Sequence, residues 1–221
     1  MYSVAMRALA STLITIALNV AYIVDVIRLH LGTAALLVAL PFLLANLASV
    51  AMLILSLGSK PIKTDERWGM FFVALLASNL AALLHFSGVE LINPNLIRSV
   101  SLAAQLTTIA LIPFYVLATL TLGRQLTVVP EARKLITRGP YSLSRHPLYV
   151  TYIIWHLLQV GVAQSGAILA VSAVMVVLLT IRARGEEALL ASAFPAEYAE
   201  YRERVGWVGR WSPSFGARGA S

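Results

Sequence analysis

Apolar residues in this chain come in long blocks rather than in one-face stripes. Stretches near 8–27, 33–57, 69–86 and 99–122 hold few or no ionisable groups. Each approaches the roughly 20 residues that span a hydrocarbon layer as a helix. The next apolar region, 148–181, behaves differently. Its 34 residues would make about 51 Å of helix, too much for one ordinary span and short of the roughly 40 residues that two full spans want. The run "GVAQSG" at 161–166 places two glycines and two polar residues near its middle, which is a turn signal. The pattern therefore predicts a tight hairpin of two shortish helices, about 148–162 and 166–181.

Composition sharpens this into a fold class. The chain has 221 residues, 59% hydrophobic and only 12% charged, with mean hydropathy +0.80, whereas a soluble domain carries about 25% charged residues. The expectation is an all-α, polytopic integral membrane helical bundle. Its length suits one compact bundle without a large soluble domain. A cleavable signal peptide is not expected, because the first block lacks a small-x-small site and further spans follow it. The absence of cysteine excludes disulfides and thiolate metal sites. His30 and His85 are isolated and no H-x-x-x-H spacing occurs, so no metal site is expected.

Charge then sets orientation. A formal net charge of +7 raises nucleic acid as a partner, but its placement argues against that reading. Basic residues fall in loops beside the hydrophobic blocks, as the positive-inside rule expects of a cytoplasmic face, where they also meet anionic lipid headgroups. With six passes, fifteen of the seventeen Lys and Arg residues share one side, leaving Arg28 and Arg98 opposite. Five passes would split them 9 to 8. The expectation is about six passes with both termini cytosolic. Residues 1–122 supply about four spans, and 123–221 hold a cytosolic loop, the helical hairpin and a C-terminal amphipathic segment.

This topology brings two polar clusters to one membrane face. The first is the loop "LGRQLTVVPEARKLITRGPYSLSRHPLY" (122–149), rich in turn residues and donors. Pro147 is placed in the first turn of the fifth helix, where its missing N–H is no loss. The free N–H groups of that turn, with the helix dipole, favour a bound carboxylate. Tyr141 and Tyr149 can stack on a planar ligand or hydrogen-bond to it, and His146 can donate or accept. Taken singly, Tyr, Arg and His at a membrane interface are most simply anchors; taken together, opposite a second cluster, they read as a site.

The second cluster is "RARGEE" (182–187). Arg182 and Glu186 are four apart and share a face on a continuing helix. Acidic residues at the C-terminal end of a helix do not complement its dipole, so Glu186 and Glu187 make more sense facing a cation or ribose hydroxyls. Beyond them Leu189, Leu190, Phe194, Tyr198, Tyr201 and Val205 repeat at near-helical spacing, an amphipathic lid or interfacial helix. Asn19, Asn46, Asn79 and Gln105 within the spans read as interhelical hydrogen-bond partners. His156 stays open between a packing histidine and a residue facing a substrate cavity.

At these residues the sequence resembles the isoprenylcysteine carboxyl methyltransferase family and related membrane phospholipid methyltransferases. The resemblance rests on "LGR" (122–124), "RKLITRGPY" (133–141), "RHPLY" (145–149), "RARGEE" (182–187) and "FPAEYAEYRERV" (194–205), and covers roughly the C-terminal 100 residues. It implies S-adenosylmethionine bound at the cytosolic face by Arg133, Lys134, Leu135, Ile136, Tyr141, His146, Pro147, Leu148, Tyr149 and Glu186. It also implies that Arg182, with Glu186 beside it in the catalytic set, engages the carboxylate of a hydrophobic or lipidic acceptor. Two positions depart from the family pattern. Thr151 stands where the family often has Gly, which bears on the shape of the acceptor tunnel, and Pro195 replaces the usual Gly after the tail phenylalanine.

The chemistry suits such a site. A sulfonium brings its own driving force, and an ionised acceptor needs no strong base, so holding the partners together away from water supplies much of the acceleration. Other readings remain open from sequence: an NADPH-dependent membrane sterol or steroid reductase, which shares an RHP-like seam, or a non-catalytic membrane protein. Within the methyltransferase reading the acceptor can be a prenylcysteine carboxylate, a phospholipid amine or a small thiol.

Overall fold

The computed structural model describes residues 2–30, 35–86, 102–163 and 166–209. Among the described residues there are seven helices, of which the six longer ones cover the apolar blocks: α1 (Tyr2–His30), α2 (Ala35–Ser56), α3 (Trp68–Phe86), α4 (Leu102–Leu122), α5 (Pro147–Ala163), α6 (Gly166–Ala193) and the short α7 (Pro195–Arg204). The turn residues 164–165, the terminal "GARGAS" and the side chains of His30, His85 and Gln105, all singled out in the sequence, lie outside the described residues.

The six longer helices close into a ring. Helix α1 packs on α2 and α3, α2 on α4, α4 on α5, α5 on α6, and α6 back on α3. The hairpin expected from 148–181 is present as the α5–α6 pair. The outward faces of the ring are apolar: Leu13, Val24, Leu47, Phe72, Leu117, Leu157 and Val177 are all exposed. Polar side chains point inward instead. Asn79 is almost fully buried and donates to the Thr15 hydroxyl at 2.9 Å, joining α3 to α1. An apolar exterior over hydrogen-bonded polar interior contacts is the pattern of a bundle solvated by lipid. Among the described residues, Val4–Arg28 is the one stretch long and apolar enough to cross a membrane by itself.

Two expectations change. The second hairpin helix does not stop at 181; α6 runs 28 residues, to Ala193. "RARGEEALLAS" contains good helix formers, and nothing in it interrupts the ladder. The break comes one residue before Pro195, where the proline ring disfavours helical backbone for its predecessor and Phe194 takes φ −134°, ψ 64°. The amphipathic stretch read as one segment is thus split between the end of α6 and α7, and Glu186 and Glu187 are not at a helix end. The extension passes close to α3 at Gly185, where a Cβ would stand 2.5 Å from Met70 Cε and would have to displace the end of that side chain.

The bundle is also not purely helical. β1 (Lys63–Thr64) pairs antiparallel with β2 (Glu131–Ala132), flanked by bonds from Ile62 N to Ala132 O (2.8 Å) and Asp65 N to Pro130 O (3.0 Å). Two-residue strands carry no alternation to read. They pin the α2–α3 connection to the long loop after α4.

That loop reaches the site through Gly139, whose φ of +59° starts the 3₁₀ turn Gly139–Ser142 that buries Tyr141. A Cβ at Gly139 would meet Thr121 Oγ1 at 3.2 Å. Gly139→Ala should therefore lose about 1–2 kcal/mol from the left-handed backbone alone, roughly 2–4 °C in thermal midpoint per kcal/mol for a chain of this size. Thermal unfolding in detergent checks this; an unchanged midpoint would show that the turn has another stable conformation.

Candidate functional site

The seam between loop and membrane helix is built by α5. Its first residue is Pro147, as expected of a position whose N–H would have no partner. The N–H of His146 is taken by Ser144 Oγ at 3.1 Å, and the Ser144 hydroxyl donates onward to the Trp207 carbonyl. Arg145 N donates to Gly206 O at 3.0 Å. The chain after α7 is thus laced backbone-first onto the start of α5.

Side chains complete the lacing through a single carboxylate oxygen. Glu187 Oε1 accepts from Arg145 Nε (2.9 Å), His146 Nε2 (3.0 Å) and Trp207 Nε1 (3.0 Å). An ionised carboxylate only accepts, so Nε2 of His146 carries a proton in this contact. Burial alone would raise the Glu187 carboxyl, but the bonds and charges of His146 and Arg145 outweigh it and hold it at about 2. Arg145 also reaches past Glu187 to the Val205 carbonyl at 2.7 Å, capping the end of α7. Tyr201 Oη closes the other side of α7 by donating to Tyr141 O at 2.6 Å.

The adjacent carboxylate, one residue and about 100° away around α6, does something else. Glu186 Oε1 accepts from Tyr149 Oη and from Arg182 Nε at 3.2 Å. Both bonds fall on Oε1, which leaves Oε2 for a ligand donor. Arg182 is buried, with Nη1 donating to Ser78 Oγ and Nη2 to Thr127 O, each at 2.7 Å. Its guanidinium lies over the Tyr149 ring, 5.6 Å from the centroid. Tyr149 stacks in turn on His146, centroids 5.4 Å apart and planes 12° from parallel.

These groups line one cavity of about 190 Å³, below the roughly 300–1,000 Å³ usual for ligand sites. Part of the space is taken up by the bonds among Arg182, Glu186 and Tyr149. Of the residues expected from sequence, Lys134, Leu135, Ile136, Tyr141, His146, Pro147, Leu148, Tyr149, Arg182 and Glu186 all line this cavity. Arg133 does not. Its guanidinium is taken up by Glu131 Oε2 (2.6 Å), Ser56 O (2.6 Å) and Arg124 O (2.9 Å), where it ties the loop to the end of α2. His156 and Thr151 are buried but stand outside the cavity wall. The Thr151 hydroxyl is spent on Pro147 O at 2.8 Å.

Sequence reasoning treated Glu186 and Glu187 as a pair and missed their division of labour. Reading α6 as continuous would have separated them, because 182 and 186 share a face that 187 does not. Trp207 was passed over because it follows no apolar block. Tyr198 was read only as one position of the amphipathic segment, yet it lines the cavity, and its hydroxyl is buried without a hydrogen-bond partner among the described residues. Burial first, then the Glu187 charge, pushes that phenol well above its ordinary value.

Residues 102–192 match the isoprenylcysteine carboxyl methyltransferase (ICMT) family. The C-terminal segment is therefore ICMT-like, as its motifs implied. A cobalt-zinc-cadmium resistance protein, CzcN, of Cupriavidus metallidurans is 46% identical over 72 residues, 32% of this chain and 33% of that protein. A probable protein-S-isoprenylcysteine O-methyltransferase of Oryza sativa subsp. indica is 36% identical over 95 residues, 40% of this chain and 50% of that one. Protein-S-isoprenylcysteine O-methyltransferase B of Arabidopsis thaliana is 33% identical over 94 residues, 40% and 48% respectively. The chain thus spans a third to a half of the length of these relatives.

The lowered Glu187 carboxyl gives docking of the α7 segment a defined pH response. A group held below its unfolded value contributes stability that is present above that value and lost as pH falls through the folded one. Protease protection of 195–207 should hold above about pH 4.5 and decline as pH falls toward 2. Glu187→Gln should weaken protection at neutral pH and flatten the profile in that window; an unaltered profile would remove Glu187 from the role given to it.

Proposed function

We propose that this protein is an integral membrane, S-adenosylmethionine-dependent methyltransferase acting on a hydrophobic or lipidic acceptor, most like isoprenylcysteine carboxyl O-methylation. The observation that carries the proposal is the Tyr149–Glu186–Arg182 constellation in a cavity between a polar loop and membrane-type helices, within the ICMT-like segment. The fifteen-to-two distribution of basic residues supports six passes with the site and both termini at the cytosolic face. Residues 1–122 act as the scaffold and 123–221 as the catalytic region.

The donor set fits the cofactor. Glu186 offers a carboxylate oxygen for ribose hydroxyls or an amino group. Tyr141, His146 and Tyr149 place aromatic rings in the same wall for a planar base, and the free N–H groups at the start of α5 suit a carboxylate. When bound, S-adenosylmethionine supplies an electrophilic methyl group whose transfer to an ionised oxygen needs no general base. The protein's work is then positioning and exclusion of water. Arg182 receives an acceptor carboxylate by giving up the Ser78 hydroxyl or the Thr127 carbonyl, exchanging a neutral acceptor for a charged one. Helix α7, held down through Tyr201 and Glu187, covers the polar mouth, while a lipidic acceptor reaches Arg182 from between the helices.

A reductase binding NADPH finds less here. Of the basic residues in the cavity wall, Arg145 is bound to Glu187 and Arg182 is assigned to the acceptor, leaving Lys134 for a 2′-phosphate. Calorimetry of the purified protein should show binding of S-adenosylmethionine and its demethylated product and none of NADPH; the reverse would overturn the assignment. Glu186→Ala should abolish cofactor binding. Arg182→Ala should keep it within about threefold, a difference under 1 kcal/mol, while losing turnover. Equal cofactor affinity in the Glu186 variant would refute its role.

A further inference from the structure

Helix α7 carries two tyrosines toward the cavity, and their hydroxyls are treated differently. Tyr198 and Tyr201 are each only 3% exposed, and their rings meet edge-on with centroids 6.3 Å apart. Tyr201 Oη donates to Tyr141 O at 2.6 Å. Tyr198 Oη is buried and has no hydrogen-bond partner among the described residues. A buried hydroxyl left unpaired is unfavourable, and an exception of this kind calls for an explanation.

The surroundings point to one. Tyr198 lines the same cavity as Glu186, Arg182 and Tyr149, together with Leu135 and Leu190. Those two leucines pack against the Tyr198–Tyr201–Val205 cluster, so the phenol stands in an apolar neighbourhood. Burial and the Glu187 charge hold it well above its ordinary value, and it keeps its proton to donate. The two charges acting most on it, Glu187 and Arg145, are paired with one another at 2.9 Å, so neither invites a ligand charge. Of the acceptors on S-adenosylmethionine, the carboxylate has the N–H groups at the start of α5, and the ribose hydroxyls have the free oxygen of Glu186. The ring nitrogens of adenine remain. They are neutral acceptors on a flat, largely apolar body, which suits leucine side chains and a phenol donor.

We infer that Tyr198 is a further cofactor-binding residue, its hydroxyl donating to a ring nitrogen of the adenine base, so that the lid helix itself reads the cofactor. The inference rests on the methyltransferase reading, and Tyr198 is not among the residues that the family resemblance implies.

Tyr198→Phe keeps the ring and deletes the unpaired hydroxyl, which gives stability and binding opposite signs. The thermal midpoint of the ligand-free variant should equal or exceed that of the unmodified protein, whereas Tyr201→Phe, which breaks a made bond, should lower it. Calorimetry of the full chain in detergent should show S-adenosylhomocysteine binding about tenfold more weakly to Tyr198→Phe. A series of deaza derivatives of that ligand, each with one acceptor nitrogen of the base replaced by C–H, then locates the contact. One member should bind both proteins equally, because it lacks the nitrogen that the phenol reads, while the others keep the difference. A lowered ligand-free midpoint in Tyr198→Phe would make the hydroxyl structural and overturn the inference. So would a loss of affinity shared by every member of the series. Failure of the unmodified protein to bind S-adenosylhomocysteine would sink the methyltransferase reading and this inference with it; equal binding by the two proteins would sink this inference alone.

Discussion

One oxygen atom, Glu187 Oε1, holds the site together. It collects an arginine, a histidine and an indole from two places in the chain: the seam before α5 supplies two and the segment after α7 the third. Without it the start of α5 and the lid segment would keep their backbone bonds and the Arg145–Val205 and Ser144–Trp207 contacts, but Arg145 and His146 would lose their shared carboxylate. A carboxylate with three donors at one oxygen, partly buried, is stabilised well beyond an exposed ion pair. It also fixes where His146 points, and through the parallel rings of His146 and Tyr149 it sets the wall of the cavity.

Because α6 continues past the membrane-type segment, consecutive glutamates face different tasks. Glu187 turns to the seam and is consumed by structure. Glu186 turns into the cavity, where its contacts with Tyr149 and Arg182 are exchangeable. The extension therefore acts as a ruler: Arg182, Glu186 and Glu187 are placed within two turns of one rigid helix, against the start of another. That rigidity is what positioning chemistry demands. The close approach of α6 to α3 at Gly185, against Met70, keeps the ruler in the ring.

Much of this was legible in the sequence. The long apolar blocks gave helices with ends within a few residues of those observed for α2 and α3, because apolar length is the dominant signal in membrane segments. The hairpin was legible from a length mismatch, and Pro147 from the chemistry of a helix start. The end of α6 was not, since loss of apolarity at 182 resembles a helix end although polar helix formers carry the ladder on to Pro195. The two-residue strands carried no periodicity. The cofactor set inferred from motifs converges on one cavity apart from Arg133, whose side chain is claimed by Glu131 and two carbonyls. The share of α1 and α2 in the cavity wall, through Asn19, Asn46 and Ser49, was not legible, because such residues look like ordinary interhelical hydrogen-bond partners until the ring is closed.

The central claim is that Arg182 and Glu186 bring an ionised acceptor and S-adenosylmethionine together at the α5–α6 seam. A single-turnover experiment with methyl-labelled S-adenosylmethionine and an alkylcysteine acceptor, in detergent or vesicles, tests it most directly. The account predicts label in a base-labile methyl ester on the acceptor, lost in Arg182→Ala with the cofactor still bound. Label that never leaves the cofactor, while NADPH is oxidised in the same preparation, would contradict it.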